Sequence, residues 1–115
     1  MVLRFWYQGA ISQLREGEMD VEFADDQLDR LETDASFSAG WESGIVKGFR
    51  KVIQVIRAAP DERDFYALKS LHFEKLEGRD RQRSFRLNKK WRLIVELVGE
   101  APNKKVRVLG IEDYH

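Results

Sequence analysis

Cysteine is absent from this chain of 115 residues. That excludes a disulfide scaffold and thiolate chemistry, and it points to an intracellular setting. No apolar run approaches the roughly 20 residues that cross a bilayer. The N-terminal Met-Val-Leu-Arg-Phe-Trp-Tyr lacks the charged start and continuous apolar core of a signal peptide. A soluble, cytoplasmic protein is expected, with no membrane partner. Net charge is missing too: 20 Lys and Arg offset 20 Asp and Glu, which argues against a generic nucleic-acid binder. Repeats, low-complexity tracts and internal linkers are also lacking. What remains, with 43% hydrophobic residues, is enough for the modest core of one domain.

The zero sum hides an asymmetry. Residues 1–70 hold 9 Lys and Arg against 13 Asp and Glu, a net of −4, whereas residues 71–115 hold 11 against 7, a net of +4. Polarity of this kind suits a protein that meets an anion on one side. Its focus is the stretch 75–92, where eight of eighteen residues are Lys or Arg and only Glu77 and Asp80 oppose them. The same stretch alternates polar and apolar, breaks at Asn88-Lys-Lys90 and resumes at Trp91. Two paired strands with a row of cations make a surface suited to phosphate.

Residues 1–18 are expected to form an extension. Leu3, Phe5, Trp6 and Tyr7 have strand character there, and residues 10–15 have the makings of a helical turn. The core domain is expected to begin at Met19. Asp20-Val-Glu-Phe23 alternates as a first strand, Ala24-Asp-Asp26 enters a helix, and Gln27-Leu-Asp-Arg-Leu31 continues it with its acids early, where the helix dipole favours them. Residues 33–43 read as a loop with Ser43 as N-cap. In residues 44–59, Ile45, Phe49, Val52, Ile53 and Ile56 form one apolar stripe of helical period. Pro60 stops that helix, and Asp61-Glu-Arg-Asp64 opens a further turn or two through Leu68.

From Ser70 the period becomes 2. Leu71 and Phe73 alternate with His72 and Glu74 as a strand that Gly78 ends. Arg81, Arg83, Phe85 and Leu87 share one face of the next strand, and Ser84 and Arg86 the other. Trp91, Leu93, Val95 and Leu97 alternate with Arg92, Ile94 and Glu96. Gly99-Glu-Ala-Pro-Asn103 turns the chain into a last strand, residues 105–114, where Val106 and Val108 alternate with Arg107 and Leu109. Helices followed by an antiparallel meander predict an α+β layer, in which an N-terminal strand and two to three helices cover one sheet face. The open face is expected to carry Arg92, Arg86 and the end of the last strand.

Six segments in order, Ala58-Ala-Pro-Asp-Glu-Arg-Asp64, Leu68-Lys-Ser-Leu71, Phe73-Glu-Lys-Leu-Glu-Gly78, Arg83-Ser-Phe-Arg-Leu-Asn88, Trp91-Arg-Leu-Ile94 and Asp113-Tyr-His115, resemble HigB-type toxins. These are plasmid-maintenance killer proteins of the RelE/ParE superfamily, and the resemblance runs from about Met19 to His115. It implies a RelE-like fold and a ribosome-dependent mRNA endoribonuclease that enters the ribosomal A site, cuts the mRNA and inhibits translation. The implied partners are the 70S ribosome, mRNA and a HigA-type helix-turn-helix antitoxin. Aligned on Gly78, Glu74 and Glu77 stand where the family often has His and Lys. His72 and Lys75 lie two residues earlier, on the same strand face as that pair if the register holds. The superfamily also contains ParE-like toxins directed at gyrase, and a catalytically degenerate module that only binds antitoxin is a third reading.

RNA cleavage without metal or cofactor uses the ribose 2′-OH as nucleophile. It needs a base for that proton, cations for the pentavalent phosphate and an acid for the departing 5′-oxygen. Arginine is a poor base but a good clamp, so Arg92 is the expected phosphate ligand. Lys75, Arg81, Arg83, Arg86, Lys89 and Lys90 are candidate RNA contacts, although alternation prevents Arg81, Arg83 and Arg86 from all sharing a face. His115 is the natural acid or base because imidazole titrates near neutrality. Tyr114 is placed to stack on a base or donate to phosphate, and Asp113 to orient His115 or Arg92. Glu74 and His72 are further candidates for the base.

Overall fold

The computed structural model describes residues 19–100 and 104–113. The expected extension, the centre of the Gly99–Asn103 turn, and Tyr114 and His115 lie outside the described residues. Strand β1 (Asp20–Phe23) leads into helix α1 (Asp26–Thr33). There the Asp25 carboxylate accepts from the Leu28 amide at 2.9 Å, satisfying a donor that the first helical turn leaves open. Helix α2 (Ser43–Ala58) buries the expected stripe of Ile45, Phe49, Val52, Ile53 and Ile56, with Val46 added to it. Its N-cap is Glu42 rather than Ser43, and no side chain bonds there; Ser43 is already helical. Pro60 lies just past the end, and the short α3 (Arg63–Ala67) follows.

The expected strand beginning at Ser70 is a correction. Leu68-Lys-Ser-Leu71 instead closes into a 3₁₀ turn over Lys69–Leu71, and His72 ends it in the left-handed region at φ 46°. The amides of Leu71 and His72 bond back to the carbonyls of Leu68 and Lys69, so Leu71 and Phe73 reach the core from a turn and not from a pleat. Only Glu74–Lys75 pairs as strand β2. His72 is therefore not on a strand face shared with a family pair.

Strands β3 (Gln82–Arg86), β4 (Trp91–Val98) and β5 (Lys105–Asp113) complete a five-stranded sheet of order β1-β5-β4-β3-β2. β2 through β5 form the expected antiparallel meander, but β1 joins β5 in parallel, so the sheet is mixed. Asn88 makes the β3–β4 turn, its side-chain oxygen accepting from the amides of Lys90 and Trp91, each at 2.8 Å. A bulge at Leu109 moves the register from Val95 opposite Val108 to Ile94 opposite Gly110.

The helices cover one face. Phe49, Phe65, Phe85, Leu93, Val95, Val106 and Val108 meet there, and Trp91 joins the same side through an edge-to-face contact with Trp41 at 5.1 Å. The register sets Ser84, Arg86, Arg92, Glu96 and Arg107 on the opposite, open face.

Candidate functional site

Strand pairing builds the site. Glu74 on β2 lies opposite Ser84 on β3, and Arg86 on β3 lies opposite Arg92 on β4. All four project from the open face at the β2–β3–β4 end of the sheet. Arg92 was expected to be an open-face arginine, yet only 4% of its surface is accessible. Its Nε and Nη2 donate to the Ser84 hydroxyl at 3.1 and 2.8 Å, and Nη2 also donates to the carbonyl of His72. The Glu74 carboxylate stands 3.4 Å from Nη2. A buried guanidinium is costly without such partners, and these partners also fix its plane.

Two cavities meet at Arg92 and Glu74. One, of about 450 Å³, is lined further by Lys75, Glu77, Arg79, Ile94, Glu112 and Asp113. The other, of about 250 Å³, is walled by His72, Arg86, Asn88 and Lys89. In the second, Arg86 Nη1 lies 3.2 Å from His72 Nε2. A guanidinium can only donate, so that ring nitrogen is the acceptor. Lys90 reaches toward Asp113 at 3.8 Å and lies 5.8 Å from the centre of the Trp91 ring. Arg79 pairs with Glu112 at 2.9 Å, which raises the arginine's pKa further above its ordinary value.

The candidates thus divide. Arg92, Glu74, His72, Arg86, Lys75, Lys89 and Asp113 line one or both of these cavities. Arg81 and Arg83 line a separate cavity of about 370 Å³ with Glu96 and Arg107, and Arg83 Nε is buried there without a hydrogen-bond partner among the described residues. Ser84 and Arg79 belong to the site without having been singled out from sequence. For Ser84 a signal existed: a small polar residue at a strand position of Arg86's parity, between Arg83 and Phe85.

This mixed sheet, with helices on one face and a buried arginine on the other, has the fold of a small bacterial toxin. A solved structure described as a YoeB/ParE toxin from Agrobacterium tumefaciens superposes with a TM-score of 0.50 at 16% identity, covering 84% of this chain and all of that one. No curated protein matches the sequence. A family model for the RelE-like toxin of the type II toxin–antitoxin system HigB matches residues 21–114. The chain belongs to this HigB-like toxin family, and membership implies a protein antitoxin as partner.

Proposed function

We propose that the protein is a ribosome-dependent mRNA endoribonuclease, acting in the cytoplasm and neutralised by a HigA-type antitoxin. The observation that carries this reading is the clamp on Arg92, a guanidinium held at the junction of two cavities beside a carboxylate and several cations. In the reaction, the ribose 2′-oxygen forms a bond to phosphorus while the bond from phosphorus to the next 5′-oxygen breaks, leaving a 2′,3′-cyclic phosphate. Arg92 stabilises the charge that builds on the non-bridging oxygens. Glu74 takes the 2′-OH proton, being the carboxylate beside Arg92. His115, two residues beyond Asp113 in the chain, supplies a proton to the 5′-oxygen, and Tyr114 stacks on a base. The carbonyl of His72 bonds Arg92 and its ring meets Arg86, which fits a supporting role better than that of base. Lys75, Arg86, Lys89 and Lys90 provide cationic surface for the backbone.

Induction in a bacterial host lacking the antitoxin, with growth followed and new 5′ ends mapped on translated mRNA, tests this reading. Growth arrest with in-frame cuts is expected; deletion of His115 should abolish both, and Arg92→Ala should reduce the cuts by about 100- to 1000-fold. Arrest without cuts would assign a different target, gyrase among them. No arrest, with antitoxin binding retained, would leave a module that only binds antitoxin.

A further inference from the structure

Among the described residues, Ser84 bonds Arg92 through its side chain, and the proposed reaction assigns it no work. It is fully buried, in the middle of β3, with Glu74 opposite it on β2 and Ile94 opposite it on β4. Serine is not a favoured strand residue, and a buried hydroxyl requires a partner. Its oxygen accepts two hydrogen bonds, both from the same guanidinium. The His72 carbonyl holds Nη2 from a second direction, delivered by a left-handed residue at the end of the 3₁₀ turn. Such backbone is uncommon for a residue with a side chain, and it persists only where its surroundings enforce it.

A planar group gripped along its Nε–Nη2 edge, and again at Nη2, has its plane fixed. We propose that Ser84 is a positioning residue: it sets the plane in which Arg92 meets the scissile phosphate, without touching RNA. This rests on the reading of Arg92 as the phosphate clamp. Without the hydroxyl, the arginine keeps its charge and its place on β4 but loses the hold on its long edge. A clamp whose N–H donors must point at phosphate oxygens depends on that orientation more than on charge alone.

The test is single-turnover cleavage of mRNA on programmed 70S ribosomes, with ribosome affinity measured separately. Ser84→Ala should lower the cleavage rate about 10- to 100-fold with affinity within about threefold, as expected for a residue that orients another. Ser84→Cys keeps the shape with a somewhat larger and weaker acceptor, and should give an intermediate rate. In the Arg92→Ala background, Ser84→Ala should cost nothing further, because its effect passes through the missing guanidinium. The Arg92 Nε–H resonance, followed by nitrogen-15 NMR, should be slow to exchange in the unmodified protein and fast in Ser84→Ala. Cleavage by the unmodified protein with no loss in Ser84→Ala, or with additive losses in the double variant, would overturn the role of Ser84 alone. Absence of cleavage by the unmodified protein would overturn the clamp itself.

Discussion

Two arginines on the same open face are held in opposite ways. Arg107 on β5 is 40% accessible at its side chain, and carboxylates surround it: Glu22 at 2.6 Å from Nε and Glu96 at 3.7 Å from Nη1. Arg92 on β4 is 5% accessible at its side chain, and its shortest contacts are the neutral oxygens of Ser84 and His72, with one carboxylate, that of Glu74, pairing it at 3.4 Å. Close carboxylates spend an arginine's charge locally, in an ion pair that water and salt weaken. Around Arg92, neutral acceptors act together with the Glu74 carboxylate and fix the plane of the group. The two positions are nearly the same chemistry by composition; the acceptors around them make one an exposed ion pair and the other a buried, oriented guanidinium.

The largest effect is expected where that contrast is sharpest. Arg92→Ala should reduce mRNA cleavage by about 100- to 1000-fold, the range for losing a donor aimed at developing negative charge. Arg92→Lys should recover little, since an ammonium is a point charge without the planar fork that Ser84 grips. Arg107→Ala should stay within about threefold in the same ribosomal assay, as expected for an exposed ion pair remote from the chemistry. Equal losses at both positions would break the comparison and assign the whole basic face to RNA binding.

Much of this contrast was legible before folding, but not the part that matters most. Alternation along residues 91–97 put Trp91 and Arg92 on opposite faces, and the structure agrees, with Trp91 against Trp41 and Arg92 against Ser84. The apolar stripe of α2 was equally readable, because a 3.6-residue period needs no knowledge of partners. What alternation does not reveal is the register between strands. Arg92 reaches the Ser84 hydroxyl only because β3 and β4 pair Arg86 with Arg92 and Ser84 with Ile94. The turn at His72 was hidden for another reason. Leu71 and Phe73 are both buried, so their spacing copies a strand while their backbone turns. The parallel placement of β1 beside β5 joins residues about 85 apart in sequence, and no local pattern encodes such a contact.

The covered face yields the next prediction, one of stability. Gly48 on α2 lies so close to the residue that follows β3 that an added Cβ would meet the Leu87 carbonyl oxygen at 2.9 Å. The obstacle is backbone and cannot swing aside. Gly48→Ala should cost about 1–3 kcal/mol, the usual range for overpacking, read as a lowered urea midpoint. Because Leu87 leads directly into the Asn88 turn, the same variant should loosen Lys89 at the rim of the smaller cavity. If the midpoint does not move, the helix rides farther from the sheet than the packing requires.

A third arginine sharpens the comparison from the other side. Arg50 on α2 is also held by neutral oxygens, donating to the carbonyls of Leu31, Asp34 and Phe37 at 2.9, 3.0 and 3.1 Å. Its acceptors are the last turn of α1 and the connection to α2, so it fastens that loop to the helix it leaves. Neutral acceptors therefore hold both arginines, and only Arg92 of the two lines the cavities beside Glu74. Arg50→Ala should cost about 1–2 kcal/mol from lost charge-assisted hydrogen bonds. Amide exchange should accelerate at residues 34–42, while ribosomal cleavage per folded molecule stays unchanged.

The smallest effect belongs to Glu22, which completes the Arg107 side of the contrast. Its carboxylate accepts hydrogen bonds from Lys105 and Arg107, in that order of weight, and these hold its pKa below the ordinary value. A carboxyl depressed on folding adds stability that is fully present above its unfolded pKa of about 4.3. That contribution is lost as pH falls through the lowered folded value. Glu22→Gln should therefore melt slightly below the unmodified chain at pH 7. The gap should close on acidification below about pH 4 and narrow in high salt, because the pair is exposed. Melting curves from pH 7 to pH 2 at two salt concentrations would decide this, and a gap that ignores both pH and salt would remove the ion pair as its cause. The variant also releases Arg107 from its closest carboxylate. If Arg107 serves only in its exposed ion pair, cleavage should not change; a gain would mean that Arg107 differs from Arg92 only by the carboxylate set against it.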